Sequence, residues 1–173
     1  MKFWLIRHWR NLFGGGRGIL LNVRDVTAQL QWHALRAEEL HHVMIEAKRQ
    51  CEGRAVVWRE CLAMATALQN EIAVKVASEQ LILLERTAEL VAKSASEGQD
   101  SVDRIGADLQ QSIQTFRNLR ARFEQTGVDV RKIVLPNMEV ERAKARATIS
   151  TTWEANLLPE GAARELMRAM ESR

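Results

Sequence analysis

The stretch VKVASEQLILLERTAELVAKSASEGQDSVDRIGADLQQSIQTFRNLRARF, residues 74–123, decides the fold. Read in steps of three and four it presents Val74, Ala77, Leu81, Leu84, Ala88, Val91, Ala95, Gly98, Val102, Ile105, Leu109, Ser112, Phe116, Leu119 and Phe123. Only Gly98 and Ser112 interrupt this apolar seam. Its repeat of about 3.5 residues keeps one stripe of a helix facing a partner helix, with side chains of one seating between side chains of the other. At ~1.5 Å per residue the helix would be about 75 Å long, beyond the usual length in a globular core, so it demands an equally long partner.

That partner lies upstream. From Ile19 a second helical pattern carries Val26, Leu30, Ala37, Leu40, Met44, Ala47, Cys51, Trp58, Cys61, Ala65 and Leu68 on one heptad register, violated at His33 and Arg54. Polar groups in a seam weaken a helix pair but fix its register. Between the two patterns, residues 67–71 read Ala-Leu-Gln-Asn-Glu, and Asn70 is the residue expected to take a left-handed backbone in a reversal. Neither glycine nor proline enforces the reversal, so one uninterrupted helix is the alternative. Two arms of similar length favour an all-α protein built on a long antiparallel coiled-coil hairpin over residues 19–126, with its tip near 68–71.

The second arm ends at Gln125-Thr126-Gly127, where glycine caps a helix. Residues 127–136 form an apolar and basic connector closed by Pro136, which cannot continue a helix. A further helix is expected over about residues 138–158. Pro159 then opens a short final helix, with Glu160 offsetting its dipole and Ala162, Leu166 and Met170 on one stripe. So short a helix must dock on something. Residues 137–173 are therefore read as C-terminal assembly helices.

Composition agrees with an all-helical chain. The 173 residues are 46% hydrophobic and 27% charged, with two prolines and no tyrosine. The net charge of +3 is unevenly placed: residues 1–24 carry Lys2, Arg7, Arg10, Arg17 and Arg24 and no acid, a local +5 against −2 for the remainder. A cationic cluster of this kind implies an anionic partner surface. On a helical projection of residues 1–13, Met1, Leu5, Ile6, Trp9, Leu12 and Phe13 share an arc, and Arg7, His8, Arg10 and Asn11 fill the rest. Phe3 and Trp4 lie off that arc, and Lys2 intrudes on it. Such a helix lies in the headgroup plane of an anionic bilayer; Arg7 and Arg10 interrupt it far short of the ~20 apolar residues needed to span. Its membrane-binding set is Lys2, Phe3, Trp4, Leu5, Ile6, Arg7, Trp9, Arg10, Leu12 and Phe13. The competing reading docks this helix on the protein's own core. Gly14, Gly15, Gly16 and Gly18 follow, and four glycines in residues 14–18 read as a hinge.

Signs of catalysis are lacking. Cys51 and Cys61 sit in helical pattern without histidines at metal-ligand spacing. His8, His33 and the adjacent His41 and His42 do not converge, and Glu38, Glu39, Glu85 and Glu89 read as solvated faces of the arms. The expectation is a non-enzyme with no catalytic residue, metal or cofactor. Nucleic acid is not the expected partner, because the proposed hairpin is net acidic; a nucleic-acid-binding protein using the basic N-terminus is a second alternative.

At the tip, Trp58-Arg59-Glu60 followed by Ala65, Glu71, Lys75 and Ala77 resembles the phage-shock-protein A family, the bacterial relatives of ESCRT-III that include the vesicle-inducing protein of plastids. The last helix, residues 159–170, is also similar to that family's C-terminal segment. Glycines 14–18 stand where the family has an acidic residue and proline, and Gln69-Asn70 replaces its Lys-Gly reversal. The resemblance implies an amphipathic helix, a hairpin and C-terminal helices in that order, copies stacked into rods, rings or filaments, and a last helix laid over a neighbour's tip. It assigns Trp58, Glu60, Ala65, Glu71, Lys75 and Ala77 to tip assembly, and Ala162, Leu166, Met167 and Met170 to the C-terminal contact. The expected partners are other copies of this chain, anionic membrane lipids and a regulatory protein, with the protein peripheral on the cytoplasmic face of the membrane under membrane stress. Off-seam Val76, Ile82, Leu83, Leu90 and Ile113 independently ask for cover by neighbours. The alternative is a monomeric coiled-coil adaptor or secretion-type stalk that engages a protein partner through its tip.

Overall fold

The computed structural model describes residues 15–149 and 159–172. Among them the protein is all-helical, with no strand: α1 (Gly15–Ala67), α2 (Glu71–Gln125), α3 (Met138–Thr148) and α4 (Glu160–Glu171). The two long helices, of 53 and 55 residues, pack together. The chain divides into two compact units, the first holding residues 15–39 and 100–149, the second residues 40–99 and 159–172.

The seam of residues 74–123 holds throughout, since each of its positions is buried or half-buried. Both interruptions have a steric or polar reason. Ser112 meets Thr27 of α1 at 2.7 Å, hydroxyl to hydroxyl, in the first unit. In the second unit Gly98 leaves room for two larger side chains, because a Cβ at this position would stand 3.6 Å from Nδ1 of His41 and 4.0 Å from Sδ of Met44.

The register read for α1 holds from Ala47 through Ala65, is half-buried at Leu30, Ala37 and Met44, and fails at Val26, Leu40 and Leu68. Val26 is 55% exposed and Leu40 is 40% exposed, whereas Thr27, Gln31 and Ala34 are buried. The apolar residues chosen from sequence sit beside the inward positions. The hydroxyl of Thr27 is accommodated inside by Ser112 and by the carbonyl of Val23, 2.7 Å away.

The glycine hinge is also corrected. Gly15, Gly16 and Gly18 lie in the first turn of α1. Packing outweighs propensity there: the flat face of Gly16 lies against the Phe123 ring, where a Cβ would overlap the ring carbons. Gly14 lies outside the described residues.

Two breaks in the helices share one geometry. At the end of α1, Asn70 N–H donates to Ala65 O at 2.9 Å and Gln69 N–H to Thr66 O at 3.1 Å, with Gln69 at φ 52°. At the end of α2, Val128 N–H donates to Phe123 O at 3.0 Å and Gly127 N–H to Glu124 O at 3.1 Å, with Gly127 at φ 75°. Both are Schellman motifs, which satisfy the last carbonyls of a helix and need one left-handed residue. The sequence names Gly127 correctly, but the left-handed residue of the first break is Gln69. Asn70 instead starts α2, its Oδ1 accepting from Ala73 N–H at 3.1 Å.

Within the first unit the connector is part of the core. Val130 and Ile133 are buried with Leu20 and Phe116, and Leu119, Phe123, Val128 and Leu135 pack around them. Asn137 then caps α3 by accepting from Glu139 N–H at 2.8 Å. α3 lies on α1 through buried Ala145 and two ion pairs, Arg142 to Glu38 at 2.9 Å and Arg146 to Glu39 at 2.8 Å. It ends at Thr148 rather than near residue 158; residues 150–158, Trp153 included, lie outside the described residues.

Candidate functional site

The residues singled out from sequence fall into three groups, and the structure treats each differently. Lys2, Phe3, Trp4, Leu5, Ile6, Arg7, Trp9, Arg10, Leu12 and Phe13 lie outside the described residues. What the structure gives is the ground they lead into: the first turn of α1, where Gly16 abuts Phe123 beside the Leu20 and Phe116 cluster.

The tip residues belong to the second unit, where they split by role. Trp58, Ala65 and Ala77 are buried in one cluster with Cys51, Ala55, Cys61, Ala73, Leu81 and Leu84. The helical spacing of 51, 55, 58, 61 and 65 on α1 meets 73, 77, 81 and 84 on α2, and the cluster mixes the large Trp58, Leu81 and Leu84 with small alanines. Glu60, Glu71 and Lys75 stay exposed. Arg59 pairs with Glu85 at 2.8 Å across the two helices, on the exposed flank. Trp58 is 1% exposed, and its indole N–H finds no acceptor among the described residues, so it serves the tip by volume.

The third group is α4, which closes this cluster from the same chain. Ala163 and Met170 are buried in it, and Ala162, Leu166 and Met167 pack half-buried against it. The stripe read as Ala162, Leu166 and Met170 therefore includes Ala163 as its most buried member. An amphipathic face at positions 162, 163, 166, 167 and 170 is what a short helix needs to dock.

The outer flank of α2 was visible in sequence and is bare in the structure. Ile72 is 80% exposed, Leu90 67%, Ile82 49% and Leu83 45%. Ile72, Leu83 and Leu90 are separated by 11 and 18 residues, which on a helix places them within about 20° of one another. Glu79 and Arg86 lie on the same stripe, both exposed.

The chain matches no known protein family, characterised protein or solved structure.

The titratable groups are those of solvated helices and a packed interior. Hydrogen bonds from Arg49 and Gln50 hold the pKa of the half-buried Glu46 carboxyl at about 2. Burial pushes the thiols of Cys51 and Cys61 above their ordinary value. His33 and His42 are exposed on α1, and His41 faces Gly98. Among the described residues no group of three or more His, Cys, Asp and Glu is arranged to hold a metal, and no described helix is long and apolar enough to cross a membrane.

The connector, residues 127–136, was expected as a link only, and its place in the core was missed. Its alternation of Val128, Val130, Ile133 and Leu135 with Asp129, Arg131 and Lys132 is the signal that marks a segment with one side inward.

Proposed function

We propose that the protein is a non-enzymatic, self-assembling scaffold peripheral to the membrane. In this reading α1 and α2 form an antiparallel hairpin, as the resemblance to the phage-shock-protein A family implies. Residues 1–13 hold anionic lipid at the cytoplasmic face, and copies stack along their flanks into rods or rings that protect or remodel the bilayer. The observation that carries the reading is the apolar stripe on the outer face of α2. Ile72, Leu83 and Leu90 are 80%, 45% and 67% exposed on a helix whose other stripe is already occupied. A fully buried large aliphatic side chain contributes roughly 1.5–3 kcal/mol, so a repeated contact through three of them supports association of many copies. Glu79 and Arg86, exposed on the same stripe and without an ion pair among the described residues, add opposite charges for adjacent copies to match.

The test is the mass of the purified full chain by light scattering, with negative-stain microscopy of the same sample. The expected result is an assembly of many copies that I72S/L83S/L90S reduces to the monomer while its helical signal is retained. A monodisperse monomer at every concentration would replace this reading with the monomeric adaptor, acting through the turn between α1 and α2.

A further inference from the structure

In the first unit, exposed cations gather around one apolar cluster. Residues 116–135 carry Arg117, Arg120, Arg122, Arg131 and Lys132, five cations against the two acids Glu124 and Asp129. Both acids are already engaged: Glu124 pairs with Arg120 at 3.1 Å, and Oδ1 of Asp129 accepts from Arg131 N–H at 3.2 Å. Arg117, Arg122, Arg131 and Lys132 are exposed and have no ion pair among the described residues, and the same holds for Arg17 in the first turn of α1. The α3 cations differ, since Arg142, Lys144 and Arg146 each hold a glutamate.

Presentation of the pair in the connector is built into the backbone. Ile133 N–H donates to Val130 O at 2.9 Å, closing a turn whose two outer residues are Arg131 and Lys132. Val130 and Ile133 are buried against Leu20 and Phe116, so the two ends of the turn are anchored while its corner faces solvent. Val134, 56% exposed, adjoins the corner. Arg17 stands three residues before Leu20 of that cluster and directly after Gly16.

We propose that this collar, Arg17, Arg117, Arg122, Arg131 and Lys132, is a second anionic-bilayer contact that works with residues 1–13. The inference rests on the membrane-scaffold reading and extends it to a rigid part of the fold. Three observations select a bilayer. With Glu124 taken by Arg120, Asp129 is the one acid left in residues 116–135 against Arg117, Arg122, Arg131 and Lys132, so the collar stays net positive and keeps its attraction for an anionic surface. An exposed valine adjoins the cationic turn, as suits the boundary between headgroups and acyl chains. In the sequence, Arg17 follows the last residue of the segment proposed to bind lipid by four positions. A single-stranded nucleic acid would be served by exposed aromatic side chains for stacking, whereas here Phe116 is 3% exposed and Phe123 is half-buried under Gly16.

The test uses the full chain with residues 1–13 intact, wild type against R131Q/K132Q, in co-sedimentation with vesicles of phosphatidylglycerol and phosphatidylcholine. Each cation near an anionic leaflet contributes about fivefold in affinity, so the double variant is expected to bind on the order of 25-fold more weakly. Acylation of Lys132 by an amine-reactive reagent, read by peptide mass spectrometry, provides a second measurement on the unaltered protein. Lys132 is expected to be protected several-fold by anionic vesicles and not by pure phosphatidylcholine. Affinity within twofold of wild type, together with an unprotected Lys132, would overturn the inference. So would a variant that binds vesicles normally and loses salt-sensitive retention on random-sequence DNA. Removal of residues 1–13, run in parallel, separates the two ideas: loss of binding there with no effect of R131Q/K132Q retains the scaffold reading and rejects the collar.

Discussion

The contact between Thr27 and Ser112 makes a quantitative test of how the two long helices pack. The Thr27 hydroxyl has one hydrogen, and at 2.7 Å from the carbonyl of Val23 it donates there. Ser112 must then be the donor in the 2.7 Å hydroxyl pair, with Thr27 accepting. Thr27 is fully buried and Ser112 half-buried, so Ser112 relies on Thr27 as its acceptor while Thr27 is also held by Val23. Thr27→Val keeps the shape and removes the acceptor, and a buried group left without its partner costs about 1–3 kcal/mol. Ser112 has a partial escape, since a helical serine can turn back to the carbonyl four residues earlier, which brings the expected cost of T27V to about 1–2 kcal/mol. Ser112→Ala leaves Thr27 bonded to Val23 and is expected to cost about 1 kcal/mol. T27V/S112A replaces both partners by apolar groups and should cost about 1 kcal/mol less than the sum of the single changes. Urea unfolding followed by circular dichroism supplies the cycle, at several protein concentrations so that assembly does not enter the comparison. Additivity within about 0.3–0.5 kcal/mol would refute the register in which Thr27 faces Ser112.

Glycine substitutions should have opposite signs at two positions in the long helices. Gly98→Ala places its methyl 3.6 Å from His41, an ordinary contact, and should stabilise by up to about 1 kcal/mol, whereas Gly16→Ala meets the Phe123 ring and should destabilise. Gln69→Gly should stabilise by about 1 kcal/mol, because φ 52° is strained for glutamine and free for glycine, while Gly127→Ala at φ 75° should destabilise; urea midpoints read both pairs. Cys51 and Cys61 should resist alkylation at pH 8 until the protein unfolds, since burial raises their thiol pKa; two rapidly titrating thiols in native buffer would contradict the packed cluster. The same shift has a sign in pH. A thiol whose folded pKa is raised favours the fold fully below the ordinary value of 9.0 and loses that contribution as pH rises toward the folded value, so unfolding midpoints should fall above about pH 9.

The sequence made the two long helices legible because their burial is periodic. Residues 74–123 place an inward side chain at each seam position, and even the exceptions at Gly98 and Ser112 mark real departures from apolar packing. Where the reading failed, a polar residue had taken an inward place beside an apolar one. Val26 and Leu40 look like seam residues by type, yet Thr27, Gln31 and Ala34 are the buried ones, and no propensity scale encodes a hydroxyl satisfied from another helix. Glycines 15, 16 and 18 misled for a related reason, since the stabilisation from packing on Phe123 is invisible until the second helix is in place. The tip residues Trp58, Ala65 and Ala77 were named for assembly and lie in the cluster that α4 closes, with Ala163 joining from a position the stripe had skipped. The connector turn at Arg131 and Lys132 was read as a link and carries side chains of the core on either side of its cations.

In the scaffold proposed above, residues 1–13 hold the chain on anionic membranes. The most direct measurement is co-sedimentation of the full chain and of a chain lacking residues 1–13 with phosphatidylglycerol vesicles, with Trp9→Glu and Phe13→Glu together as a second variant. The full chain is expected to pellet with the vesicles, and both altered chains to stay in the supernatant with their helical content unchanged. Undiminished pelleting of the chain that lacks residues 1–13 would contradict it.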